Sequence, residues 1–125
     1  MIELNKYLRE LGIDENYWLF DEERRKTDNR YIPDEEGFVN AETFNLDVSL
    51  SMHIYSQLCY FRDNCLNGHP GYMTFEEWKN IIDKMIEAFK LQITTDNELN
   101  VSKNKQKKIK YGMRLFIKYY NHLWW

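Results

Sequence analysis

Residues 46–65 read Leu46-Asp47-Val48-Ser49-Leu50-Ser51-Met52-His53-Ile54-Tyr55-Ser56-Gln57-Leu58-Cys59-Tyr60-Phe61-Arg62-Asp63-Asn64-Cys65, and this stretch decides the fold class. It contains no glycine or proline, and only Asp47, Arg62 and Asp63 are charged. Placed at helical intervals, its apolar side chains form two stripes. One holds Leu46, Leu50, Ile54, Leu58, Phe61 and Cys65; the other holds Val48, Met52, Tyr55 and Cys59. Thr43 or Asn45 can cap such a helix, and Asp47 sits favourably in its first turn. The pattern predicts one long central helix covered on two sides. Either two other helices of the chain cover it, or the Val48/Met52/Tyr55/Cys59 stripe is a seam against a second copy. Burial within one chain is the simpler expectation.

Downstream, Asn67-Gly68-His69-Pro70-Gly71 breaks the helix. Thr74 followed three residues later by Glu77 is a capping box, and it opens a helix over about 75–92. Phe75, Trp78, Ile81, Ile82, Met85, Ile86, Phe89 and Ile93 form its apolar face. A polar linker, 94–102, leads to a last helix over 103–122. Ile109, Met113, Phe116, Ile117 and Tyr120 lie on one of its faces, and Lys103, Lys107, Lys110, Arg114 and Lys118 occupy a narrow arc on the other. Upstream, Leu4, Tyr7, Leu8 and Leu11 predict a short helix over 2–11 that Gly12 stops. Asp14 can cap a second helix through Tyr17, Trp18 and Phe20, supported by the pairs Asp21/Arg25 and Glu22/Lys26 one turn apart. Residues 27–42, with Pro33, read as an irregular connection holding at most a short strand. The expectation is a single, mainly all-α domain, small and orthogonal or bundle-like, around the helix at 46–65. The basic amphipathic segment 103–125 is packed on it or appended to it.

One hundred and twenty-five residues suffice for one core without disulfide or metal staples. Nine Tyr, seven Phe and four Trp supply large contact area for a core, an interface or both. Apolar runs are too short to span a membrane, and the charged start MIELNKYLRE lacks the apolar run of a signal peptide. A cytoplasmic location is therefore expected. Cys59 and Cys65 agree with it: six residues apart on one helix they are separated by about 9 Å of rise, too far for a disulfide. Charge is distributed unevenly. Residues 1–100 carry all 20 acids against 10 Lys and Arg, whereas 101–125 carry seven cations and no acid. Such asymmetry points to an anionic partner for the tail or to docking of the tail on the body.

The middle of the chain also resembles a family of small, uncharacterised bacteriophage and prophage proteins. The residues that carry the likeness are Gly37-Phe38, Thr43-Phe44-Asn45-Leu46-Asp47 and Ile54-Tyr55 with Leu58 and Phe61. They continue with Pro70-Gly71, Met73-Thr74, Glu77-Trp78, Ile81-Ile82-Asp83-Lys84-Met85-Ile86 and Ala88-Phe89, so the likeness covers about residues 37–90. Ser56-Gln57 stands where comparable proteins often have a proline-arginine pair. The resemblance implies a phage origin and no particular activity. Small phage accessory proteins commonly bind something of the host's, such as a defence complex or its signalling nucleotide.

Chemistry is searched for against that background. His53, Cys59, Cys65 and His69 lack the close spacing of zinc ligands, and ordinary packing accounts for them. No phosphate loop, nucleophile elbow or cofactor motif is present, so neither an enzyme nor a cofactor is expected. Asp21-Glu22-Glu23 and Asp34-Glu35-Glu36 read as solvated acids. Two anion-binding candidates remain. The stripe Lys103, Lys107, Lys110, Arg114 and Lys118 extends about 22 Å and can track phosphates, with Tyr111 and Trp125 near the same arc to stack on bases. A solvated lysine face is the ordinary alternative, and Trp124 with Trp125 at a lipid headgroup layer is a third reading. Arg24, Arg25 and Arg30, beside Trp18, Tyr17 and Tyr31, form a nucleotide-binding candidate, because guanidinium groups pair with phosphate and aromatic rings stack; ion pairs on the helix surface with Asp21 and Glu22 are the simpler expectation for them. The functional expectation is a non-catalytic phage accessory protein that inhibits a bacterial defence system by binding its protein complex or its nucleotide or nucleic-acid ligand. The alternative is a virion-associated or structural oligomer.

Overall fold

The computed structural model describes residues 2–124. All regular structure among them is helical, with no strand. Five α-helices follow in order: α1 (Lys6–Glu10), α2 (Glu22–Thr27), α3 (Leu46–Tyr60), α4 (Phe75–Thr94) and α5 (Lys103–Lys118). Short 3₁₀ turns at Trp18–Phe20, Asn29–Tyr31, Asn40–Thr43 and Tyr120–His122 supply the remainder, and a π turn at Phe61–Cys65 prolongs α3. The chain is an all-α fold. The expected short strand within 27–42 is absent; 3₁₀ turns and the tight turn 34–37 fill that stretch.

Local chemistry explains most boundaries. Thr74 Oγ1 accepts from the Glu77 backbone N–H at 3.1 Å, and Glu77 Oε1 accepts from the Thr74 N–H at 3.3 Å, which completes the capping box of α4. Asn5 Oδ1 accepts from the backbone N–H groups of Tyr7 and Leu8, so α1 begins four residues later than its apolar spacing predicts. Gly12, at φ +86°, ends it in a conformation that other residues rarely adopt. The second short helix starts at Asp21, not Asp14: Asp21 Oδ1 accepts from the Arg24 N–H, and the Trp18–Phe20 segment before it is a 3₁₀ turn.

The middle of the fold is α4, and this revises the sequence expectation. Helix α4 packs on both α3 and α5: Trp78, Ile82, Met85, Ile86, Phe89 and Ile93 belong to one core, Phe89 meets Phe116 of α5 with ring centroids 5.1 Å apart, and Ala88 lies against Gly112 of α5. Helix α3 packs on α4 and is met by α1 and by the 40–43 turn, which leaves one arc of it open. Val48, Met52, Tyr55 and Cys59, the stripe read either as core or as a seam against a second copy, are buried at 5% exposure or less in the chain's own core. Leu46 and Leu50, expected to be buried, are 48% and 51% exposed. Ser49 and Ser51 are buried instead, because each hydroxyl donates to the backbone carbonyl four residues earlier, Asn45 and Asp47 respectively. Helix α5 likewise turns Ile117 and Tyr120 outward and buries Gly112 and Tyr119.

Tyr7 ties α1 to the end of α3. Its hydroxyl, on a buried ring, donates to Asp63 Oδ2 at 2.9 Å, while Arg62 Nε donates to Asp63 Oδ1 at the same distance. Burial first, then the Asp63 carboxylate, push the Tyr7 phenol up to about 12. The Arg62 hydrogen bond holds the Asp63 carboxyl below its ordinary value. Tyr7→Phe should cost about 1 kcal/mol near neutral pH, a typical net value for such a hydrogen bond. A depressed carboxyl contributes stability above its unfolded pKa and loses it as pH falls through the folded one. The difference between wild type and Tyr7→Phe in urea unfolding should therefore shrink at acid pH, once Asp63 protonates.

Candidate functional site

Four of the six residues named for the nucleotide-binding candidate converge, Arg25 and Tyr17 being the exceptions. Trp18, Arg24, Arg30 and Tyr31 line one cavity of about 320 Å³ together with Asn40, Ala41 and Phe44. The cavity is assembled from consecutive turns: the 3₁₀ turn 18–20 supplies Trp18, α2 supplies Arg24, and the 29–31 turn supplies Arg30 and Tyr31. The 40–43 turn then brings Asn40 and Ala41 across from them, with Phe44 just beyond. Trp18 stands edge-to-face with Tyr31, ring centroids 6.4 Å apart, and with Phe44 at 5.9 Å. Phe44 is 80% exposed, so one aromatic wall of the cavity is open to an incoming ring.

The arginines are held in place with donors to spare. Arg24 Nη1 donates to the Tyr31 hydroxyl at 3.1 Å, and its guanidinium lies 5.9 Å from the Tyr31 ring centre. Arg30 donates through Nε and Nη2 to the two oxygens of Asp28, at 3.1 and 2.7 Å. Asp28 also accepts from the Arg30 backbone N–H, and the Arg30 side-chain hydrogen bonds are the first cause of its carboxyl being lowered to about 2. A guanidinium has five N–H donors, so both arginines keep several for a ligand. The lining offers ring faces, a phenol, a carboxamide and two guanidinium groups.

Arg25 belongs elsewhere. It donates through Nε to the Leu19 carbonyl, through Nη2 to the Ile2 carbonyl at 2.8 Å and through Nη1 to Glu3, over the ring of Phe20. It fastens α2 to the start of the chain and does not line the cavity, and the expected Asp21/Arg25 pair is not formed. The residues that sequence reasoning missed are Asn40, Ala41 and Phe44. The Gly37–Asp47 run quoted for the phage likeness brackets all three without marking them for a role.

On α5, Lys103, Lys107, Lys110, Arg114 and Lys118 are exposed and none of them is in an ion pair among the described residues; Lys105 alone pairs, with Glu98. Tyr111 is 52% exposed beside the stripe, and Trp125 lies outside the described residues. Cys59 is buried and Cys65 half-buried, both free, and burial pushes the Cys59 thiol up. Among the described residues no three His, Cys, Asp or Glu side chains gather as ligands for a metal ion. No helix of the described residues is long and apolar enough to cross a membrane. Comparison with known proteins finds no matching family model, no matching curated protein and no matching solved structure.

Proposed function

We propose that this chain acts by binding, and that the cavity between Trp18, Arg24, Arg30, Tyr31, Asn40 and Phe44 takes a nucleotide: a planar base against the aromatic wall and a phosphate on the guanidinium groups. The observation that carries this reading is the convergence of Arg24 and Arg30 with three aromatic rings and one carboxamide on a single cavity. Guanidinium groups favour phosphate through paired, charge-assisted hydrogen bonds, and aromatic faces stack on bases with little regard to their identity. A volume of about 320 Å³ falls at the small end of ligand pockets, which suits a mononucleotide or one half of a larger ligand. The resemblance of residues 37–90 to small phage proteins supplies the setting. There the ligand is a signalling nucleotide of a host defence system, and the protein is an inhibitor that withholds it in the host cytoplasm.

Calorimetric titration with a panel of linear, cyclic and cyclic-di nucleotides tests the reading. At least one should bind, and Trp18→Ala or Arg24→Ala should each weaken it about tenfold, the equivalent of roughly 1.4 kcal/mol. Arg25→Ala, outside the cavity, should lower stability and leave affinity unchanged. Failure of the whole panel to bind at millimolar concentration would sink the proposal.

A further inference from the structure

The chain displays two faces that complement each other. The first surrounds the start of α3. Ile32, Phe38 and Leu46 line a shallow hollow of about 660 Å³ with Asp34 and Glu42, and Leu50 lies one turn further along the helix. Phe38 is 69% exposed, and Leu46 and Leu50 about half. Residues 31–61 contain no lysine or arginine and five carboxylates, Asp34, Glu35, Glu36, Glu42 and Asp47. None of the five is in an ion pair among the described residues. An apolar face of this kind, rimmed by charge, is the form of a docking surface. Its partner needs an apolar centre rimmed by cations.

The second face has that form. On the solvent side of α5, Ile117 is 77% exposed between Arg114 and Lys118, and the five stripe cations form no ion pair among the described residues. Helix α5 packs along α4 with a close approach at Gly112, and its packing partner is α4 and not the exposed start of α3. We infer that the acidic, apolar face around Phe38, Leu46 and Leu50 receives helix α5 of a second copy. The two faces differ, so the contact is head-to-tail and propagates into chains unless the rotation closes a ring. Opposite charge sets the register, and the apolar centres supply the adhesion. This places the oligomer surface away from the buried Val48/Met52/Tyr55/Cys59 stripe, and it is the property that a virion-associated or structural protein would use.

Light scattering on the full chain tests this. At low salt the weight-average mass should rise with concentration, and it should fall as salt is raised. Glu35→Lys/Glu36→Lys on the first face and Lys107→Glu/Lys110→Glu on the second should each weaken association about tenfold or more. Phe38→Ser should weaken it without changing charge. An equimolar mixture of the two charge-reversed proteins should associate again, which also shows that both are folded. A wild-type chain that stays monomeric at millimolar concentration overturns the inference. So does association that ignores both reversals, or folded variants that fail to recover on mixing. Monomeric wild type that instead retards a DNA or RNA oligonucleotide, and loses this with Lys107→Glu/Lys110→Glu, assigns the stripe to nucleic acid and overturns it equally.

Discussion

Trp78→Ala should lower the free energy of unfolding by about 3–5 kcal/mol, the usual cost of truncating a buried large aromatic side chain. Trp78 is 1% exposed in the first turn of α4, and it is the largest of the fully buried side chains among the described residues. Its ring meets Tyr119 at 5.7 Å and His122 at 6.5 Å, so it also anchors the turn that follows α5. Removal leaves a cavity where three helical segments converge, and the close-packed surroundings relax only partly. Against a total stability of about 5–15 kcal/mol for a domain of this size, the loss brings the chain near its unfolding threshold. Urea unfolding followed by far-ultraviolet circular dichroism measures it. A midpoint unchanged from wild type would mean that α4 does not occupy the centre of the fold.

Gly112→Ala is expected to destabilise, although helix propensity alone favours the change by about 1 kcal/mol. A Cβ on Gly112 would fall inside contact distance of the Ala88 side chain and of the Lys84 carbonyl oxygen, on the facing turn of α4. The methyl group of Ala88 can be removed, but the carbonyl belongs to the helix backbone. Helix α5 must therefore move away along its length, and overpacking of this kind costs about 1–3 kcal/mol. The sign decides between local and tertiary control: stabilisation by alanine would show that the helices are not in close approach. Ala88→Gly added to Gly112→Ala should recover only part of the loss, because the Lys84 carbonyl remains. Paired unfolding curves of the single and double variants report this coupling.

Helix α4 was legible from sequence because a capping box and a sustained apolar face are local signals, and tertiary structure had only to accept them. Helix α5 was legible as an amphipathic segment with its cations on one arc. The register of α3 was not. Periodicity reveals apolar stripes, but it does not say which stripe a neighbour will cover. Leu46 and Leu50 gave a hydropathy signal and ended exposed; Ser49 and Ser51 gave none and ended buried, because their hydroxyls bond the helix backbone. Gly112 and Ala88 are small and carry little signal, yet they set how closely α5 approaches α4.

The candidate cavity divides in the same way. Sequence composition singled out Trp18, Arg24, Arg30 and Tyr31, since arginines among aromatics have recognisable chemistry wherever they occur. It also swept in Arg25, whose carbonyl and carboxylate partners at Ile2 and Glu3 come from a distant part of the chain. Asn40, Ala41 and Phe44 joined the cavity only through the path of successive 3₁₀ turns, which have no period to read. By itself, then, the sequence determined that the chain is helical and where its strongest helix begins. Tertiary structure decided that α4 packs on both α3 and α5, that the stripe cations form no ion pair among the described residues and that one arginine is spent on the scaffold. The physical reason is that propensity, caps and periodicity act within a few residues, whereas cover, close approach and convergence depend on what another part of the chain brings.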